Sequence, residues 1–179
     1  QKKTLQEWWK DRNKCTKKYK ITVWVMVDIF TNYYEVSIGQ NMLRLLEKCK
    51  VNIKVIFLKK SIIAMISHGL LNEAKSEIKK ICHDLSGFGE RDIIMGVEPS
   101  EVLVWRDEAK NLINQKIPNV LLIEELLLRL DQMKALPRFE ILEKKVWVFE
   151  HCHQKSLAET KNLIEALKII LKLEIEVID

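Results

Sequence analysis

Val146-Trp147-Val148-Phe149-Glu150-His151-Cys152-His153-Gln154-Lys155-Ser156 is the stretch from which the rest of the chain is read. Strand-forming apolar residues, Val146 to Phe149, run into a cluster of polar and reactive groups. Helical spacing begins at Ser156, with Leu157 and then Leu163, Ala166, Leu167, Ile170 and Leu171 recurring at helical intervals. His151, Cys152 and His153 are therefore expected in a strand-to-helix turn. In an open parallel α/β sheet such turns lie at the carboxyl edge of the strands, where ligands bind. Two upstream pieces end the same way. Lys20–Val27 is an apolar run closed by Asp28 and followed by Thr31-Asn32-Tyr33-Tyr34. Asp92–Val97 is closed by Glu98-Pro99-Ser100 ahead of a helical pattern, with Pro suited to the first helical position.

Between these pieces the pattern alternates. Ile21–Val27 is unbroken and apolar, as a strand buried on both faces should be. A helix is expected over about 36–50, with Ile38, Met42, Leu45 and Leu46 inward, then a strand over Val51–Leu58. A second helix, Gly69–Leu85, should turn Leu70, Leu71, Ala74, Ile78 and Ile81 inward. A third runs on from Pro99 with Val102, Leu103, Trp105, Ala109, Leu112 and Ile113. Asn119–Leu130 is leucine-rich and reads as helical by Glu124. The pattern restarts after Pro137 with a strand over 145–150, a helix over 156–172 and a strand over 173–179. The alternation predicts an α/β fold, Rossmann-like and doubly wound. Its sheet should be mainly parallel, with helices on both faces and right-handed crossovers. The expected organisation is a basic leader helix over 1–19, a first α/β domain over 20–136, and a partial second half, one βαβ unit, over 137–179.

Composition describes a globular protein, with 47% hydrophobic and 31% charged residues in 179. No apolar run approaches the roughly 20 residues of a membrane span, and the start, Gln1-Lys2-Lys3-Thr4, does not read as a signal peptide. Residues 1–20 hold eight Lys/Arg and two Asp/Glu, a net of +6 that leaves −1 of the chain's +5 for the remainder. The basic balance belongs to the leader, so the folded body is not expected to bind nucleic acid. Cys15, Cys49, Cys82 and Cys152 are scattered without a Cys-x-x-Cys pair, which is neither a zinc spacing nor a disulfide framework. A cytoplasmic setting, or one peripheral to a membrane through a partner, is expected. No Gly-x-Gly-x-x-Gly and no Gly-x4-Gly-Lys-Ser/Thr occurs, so neither fingerprint supports a nucleotide.

Three phrases, in order over about 130 residues, carry a resemblance. They are Asp28-Ile29-Phe30-Thr31-Asn32-Tyr33-Tyr34, Glu98-Pro99-Ser100 followed by Arg106-Asp107-Glu108, and His151-Cys152-His153-Gln154-Lys155-Ser156. Together they resemble the cysteine-rich (CCG-type) iron–sulfur domain that ends FAD-linked D-lactate and glycolate dehydrogenases. Heterodisulfide reductase contains the same type of domain. The resemblance implies two pseudo-equivalent halves, an electron-transfer role, and an iron–sulfur cluster and FAD in complete relatives. It also implies where cluster ligands would stand. With Ser67-His68-Gly69 matched to the family's Ser-x-Gly, the paired cysteines of its Cys-Cys-Gly phrase fall on Lys60 and Ser61. The cysteine after Glu-Pro-Ser falls on Glu101, and one that some members carry before Thr-Asn-Tyr falls on Ile29. Only Cys152 is retained, as a remnant metal-ligand position.

A cluster needs about four thiolates, so this chain alone is expected to hold no cofactor and not to be catalytic by itself. It reads as a degenerate or truncated electron-transfer module. The alternative is a non-redox module on the same fold that binds a small anion or a protein. The crevice candidates are Asp28, Thr31, Asn32, Lys60, Ser61, Glu98, Ser100, Glu101, Arg106, His151, His153 and Lys155. Lys60 and Ser61 near helix N-termini would favour a carboxylate or phosphate, or else the lysine is simply solvated. Arg106 either reaches over the sheet edge or pairs with a carboxylate. His151 and His153 either rigidify their turn or help bind a metal. The incomplete second half points to a protein partner or a further C-terminal segment.

Overall fold

The computed structural model describes residues 3–12, 18–85, 87–89, 92–114, 117–140, 142, 144–149, 160–171 and 174–178. Four strands, β1 (Ile21–Val27), β2 (Val51–Phe57), β3 (Asp92–Gly96) and β4 (Val120–Leu121), form a parallel sheet in the order β2-β1-β3-β4. Successive strand residues face opposite ways, and here both faces are covered. Val23, Val25, Val27, Ile93 and Met95 enter one core, with α1 (Leu5–Lys10), α3 (Val36–Lys48) and α8 (Ile123–Gln132). Met26 and Ile94 enter the other, with α4 (Ile62–Ser67), α5 (Leu71–Asp84), α6 (Pro99–Leu103) and α7 (Glu108–Leu112). The doubly wound, Rossmann-like architecture thus follows from strands that are apolar on both sides.

β5 (Lys145–Val148) and β6 (Glu174–Val177) pair in parallel as a separate two-stranded sheet, joined through α9 (Thr160–Leu171). α9 packs on α8, which ties this unit to the first. Among the described residues no helix is long and apolar enough to cross a membrane.

Several elements differ from the sequence expectation. The helix expected over 69–85 is α5, from Leu71, and Gly69 separates it from α4, a short helix not expected from the sequence, which ends in a Schellman turn. Gly69 sits at φ 73°, with Gly69 N–H donating to Ile66 O and Leu70 N–H to Met65 O. Leu70 and Leu71, expected inward, are therefore exposed, while Ala74, Ile78 and Ile81 are buried. The helix after Pro99 is broken, at 104–107, between α6 and α7. The leucine-rich run is helical from Ile123, as expected by Glu124, but its start forms the two-residue strand β4, too short to carry a periodicity. On α3 the buried stripe is Gly39, Met42, Leu43 and Leu46, and Ile38 is exposed.

The shift on α3 has its cause in the first helix. Thr4 caps α1 through a capping box with Glu7, and Leu5 is fully buried against Gly39. A Cβ on residue 39 would lie 2.3 Å from Leu5 Cδ2 and 2.9 Å from Thr31 Cγ2, so only glycine admits this approach. Arg12 stacks over Trp8 at 4.5 Å and pairs with Glu47 of α3. The segment expected to be a detachable basic leader is thus part of the packing of the body. Leu5→Ala should destabilise the chain by about 2–5 kcal/mol, as for other buried leucines. Urea denaturation measures this, and a loss below about 1 kcal/mol would restore the leader interpretation.

Candidate functional site

Parallel strands bring their carboxyl ends to one edge. The order β2-β1-β3 reverses the direction of winding at β1, and the crevice outside β1 and β3 is where such sheets bind ligands. A cleft of about 430 Å³ opens there. Its walls come from the segments after β1 (Asp28, Ile29, Phe30), after β2 (Ser61, Ile63, Ala64) and after β3 (Glu98, Ser100, Glu101).

Each of these three segments starts a short helix, and a helix start leaves backbone N–H groups without intrahelical partners. Side chains of the chain itself accept from some of them. Asp28 caps α2 (Ile29–Tyr33): its Oδ1 accepts from Thr31 N–H at 2.8 Å and its Oδ2 from the Thr31 hydroxyl at 2.6 Å. Ser61 caps α4, its Oγ accepting from Ala64 N–H at 3.1 Å. Glu98 caps α6, its Oε2 accepting from Glu101 N–H at 2.8 Å.

Glu101 joins two of these caps. It occupies the third position of α6, from which a glutamate ordinarily reaches back to its own cap. Here it crosses to α4, where the Ser61 hydroxyl donates to Oε1 and Ile62 N–H donates to Oε2 at 3.2 Å. The approach of α6 to the sheet depends on Gly96, since a Cβ there would lie 2.4 Å from Val102 Cγ2. Glu101 is only 6% exposed. Burial pushes its carboxyl up to about 7; the Ser61 and Ile62 hydrogen bonds oppose this, and the nearby Asp28 and Glu98 add to it. A carboxyl group at this value can accept or release a proton near neutral pH.

The structure brings Asp28, Ser61, Glu98, Ser100 and Glu101 together, and separates them from several other candidates. Thr31 is buried as the partner of Asp28. Asn32 is buried facing α1, its Oδ1 accepting from Gln6 N–H at 2.9 Å. Lys60 is exposed and does not line the cleft. Arg106 donates to Val120 O at 3.1 Å and pairs with Glu125, so it ties the α6–α7 turn to β4 and α8 instead of reaching over the sheet edge. His151, Cys152, His153 and Lys155 lie outside the described residues. Sequence reasoning missed Phe30, Ile63 and Ala64 as walls. Their only signal was adjacency to the capping residues.

The described residues of this cleft do not fit an iron–sulfur cluster. At the positions where the resemblance would put cysteines stand Ile29, Lys60, Ser61 and Glu101, and the two oxygen donors are hydrogen-bonded to each other. Hard oxygen donors suit such a core poorly. Among the described residues no set of three His, Cys, Asp or Glu side chains is arranged to hold a metal ion. Cys49 is buried, and burial raises its thiol to about 11, which makes it unreactive. No family model matches the chain, and no curated protein or solved structure matches it significantly.

The raised value of Glu101 has a sign that can be tested. In the unfolded chain this carboxyl titrates near 4.5, and in the folded chain near 7. Between those pH values the folded state holds more protons, so stability falls as pH rises. The contribution is fully present below about pH 4.5 and lost above about 7, amounting to about 3 kcal/mol at most. Glu101→Gln keeps an acceptor for Ile62 N–H and a partner for Ser61 while removing the titration. The difference between variant and native stability should therefore shift toward the variant by up to that amount between pH 4.5 and 8. Denaturant unfolding across that range measures it, and parallel native and variant curves would contradict it.

Proposed function

We propose that this chain is a degenerate CCG-type domain, in which the cluster site of the first half has become a hydrogen-bonded Ser61–Glu101 bridge, and that it acts as a non-redox binding module. The observation that supports this is convergence. Ile29, Ser61 and Glu101 are separated by up to 72 positions, yet all line one cleft at the switch point of the sheet. Three positions chosen from a resemblance, without reference to the fold, would have little reason to meet unless the resemblance reflected a shared arrangement. The fourth, Lys60, adjoins Ser61.

The ligand is a donor-bearing group and not a small anion. A carboxylate or phosphate would need the free N–H groups at the helix starts. Side chains of Asp28, Ser61, Glu98 and Glu101 already accept from Thr31, Ala64, Glu101 and Ile62 N–H, and the acidic walls oppose a further anion. A protein partner or a continuation of the chain would also fit the β5–β6 sheet, where Trp147 is 58% exposed. Parallel strands are ordinarily covered on both faces.

Iron analysis tests the reading. The native chain, prepared anaerobically with iron and sulfide, should be colourless and hold neither. The variant carrying Ile29→Cys, Lys60→Cys, Ser61→Cys and Glu101→Cys presents about the four thiolates a cluster needs, and should turn brown with stoichiometric iron and acid-labile sulfide. Stoichiometric iron and sulfide in the native chain would instead support an electron-transfer module.

A further inference from the structure

The stretch leading out of β1 exposes apolar surface beside the cleft. Phe30 is 60% exposed, Tyr33 58%, Tyr34 73% and Ile38 53%. The Phe30 and Tyr34 rings lie 5.2 Å apart, and Phe30 is also a wall of the cleft, so the patch and the cleft are continuous. Scattered exposed apolar residues are ordinary, but a contiguous group beside a cavity marks an interaction surface. Exposed aromatic residues grouped in this way are typical of protein interfaces.

The charge of the cleft limits what can dock. Its polar walls are Asp28, Ser61, Glu98, Ser100 and Glu101, three carboxyl groups and two hydroxyls, and among the described residues no Lys, Arg or His lines it. Glu35, between Tyr34 and α3, is exposed as well. Entry of an acceptor would set like charges together, whereas a cationic donor would meet carboxyl oxygens inside and aromatic faces at the mouth. Cations are attracted to aromatic faces. A guanidinium can stack on a ring and donate in its plane at once.

We infer that the patch and the cleft together dock a basic segment of a partner protein. One Arg or Lys side chain enters the cleft past Phe30, and flanking apolar residues cover Tyr33, Tyr34 and Ile38. The inference rests on the reading of the cleft as a binding site that works without a cluster. It names the chemistry of the partner.

The test is an NMR titration of the isotope-labelled full chain with a soluble peptide bearing arginine between two leucines, and with its glutamine and glutamate counterparts. The arginine peptide should saturably shift amide signals of residues 28–38, 61–64 and 98–101. The glutamine peptide should bind about tenfold more weakly, the effect of losing a charge-assisted hydrogen bond, and the glutamate peptide not at all. Phe30→Ala and Tyr34→Ala alter exposed side chains and leave the fold intact. Each should weaken the arginine peptide about two- to fivefold. Glu98→Gln, which keeps the acceptor for the α6 cap, should weaken it further. Absence of a saturable shift, equal binding of the glutamate peptide, or full binding by Phe30→Ala would overturn the inference. Self-association of the native chain that Tyr34→Ala abolishes would make a second copy the occupant and overturn it too. If inorganic phosphate binds the cleft while the arginine peptide does not, the basic partner is wrong and the cluster-free site survives. Iron and acid-labile sulfide in the same native preparation would overturn the cluster-free site itself.

Discussion

The Glu101 carboxyl bridges two helix starts that no backbone hydrogen bond could join. It leaves α6, accepts from the Ser61 hydroxyl and from Ile62 N–H, and so fixes α4 against α6 over the carboxyl edge of the sheet. Parallel strands make such a bridge necessary. They bring several helix starts to one place, each with N–H groups that must be satisfied when buried. In many α/β proteins a bound anion meets that need. Here the chain supplies its own anions, from Asp28, Glu98 and Glu101, and a hydroxyl from Ser61.

That substitution reverses the electrostatic character of the edge. Several donors that would attract phosphate are taken up, and the polar side chains lining the cleft present oxygen atoms. Burial, with a smaller contribution from Asp28 and Glu98, raises the Glu101 carboxyl to about 7, so that it is part neutral and part ionised near neutral pH. A permanent charge at this depth would be costly without a partner. Hydrogen bonds to Ser61 and Ile62 meet part of that cost, so the carboxyl is neither locked neutral nor freely ionised. The architecture thus favours a ligand that brings donors and positive charge.

The first helix shows how little a charge count says about burial. Residues 1–20 carry a net of +6, which suggested a basic leader helix separate from the folded body. One apolar residue decides otherwise. Leu5 fills a hole that exists because residue 39 has no side chain, and the charged residues around it lie on the outer side of α1 or pair across to α3. Thr4 and Glu7 do spell a capping box, and that local signal marks a helix start firm enough to dock. Counting charge over twenty residues averaged it away.

The sequence by itself determined the alternation of strands and helices, the parallel class, the edge on which Asp28, Ser61 and Glu98 stand, and the helix start at Pro99. These depend on a residue's immediate neighbours: an apolar run of five to seven residues, a proline at the first helical position, an oxygen three residues before an amide. Only the tertiary structure decided the rest. It turned Gly39 inward instead of Ile38, added α4 ahead of Gly69, made a strand of Val120 and Leu121, and sent Arg106 to Glu125 and away from the cleft. It also chose the partner of Glu101. A glutamate at the third position of a helix can return to its own cap or cross to another element, and the two options are similar in strength. The choice follows from the distance between α4 and α6. The close fit of Val102 over Gly96 helps set that distance, a contact between separate elements that no local pattern encodes.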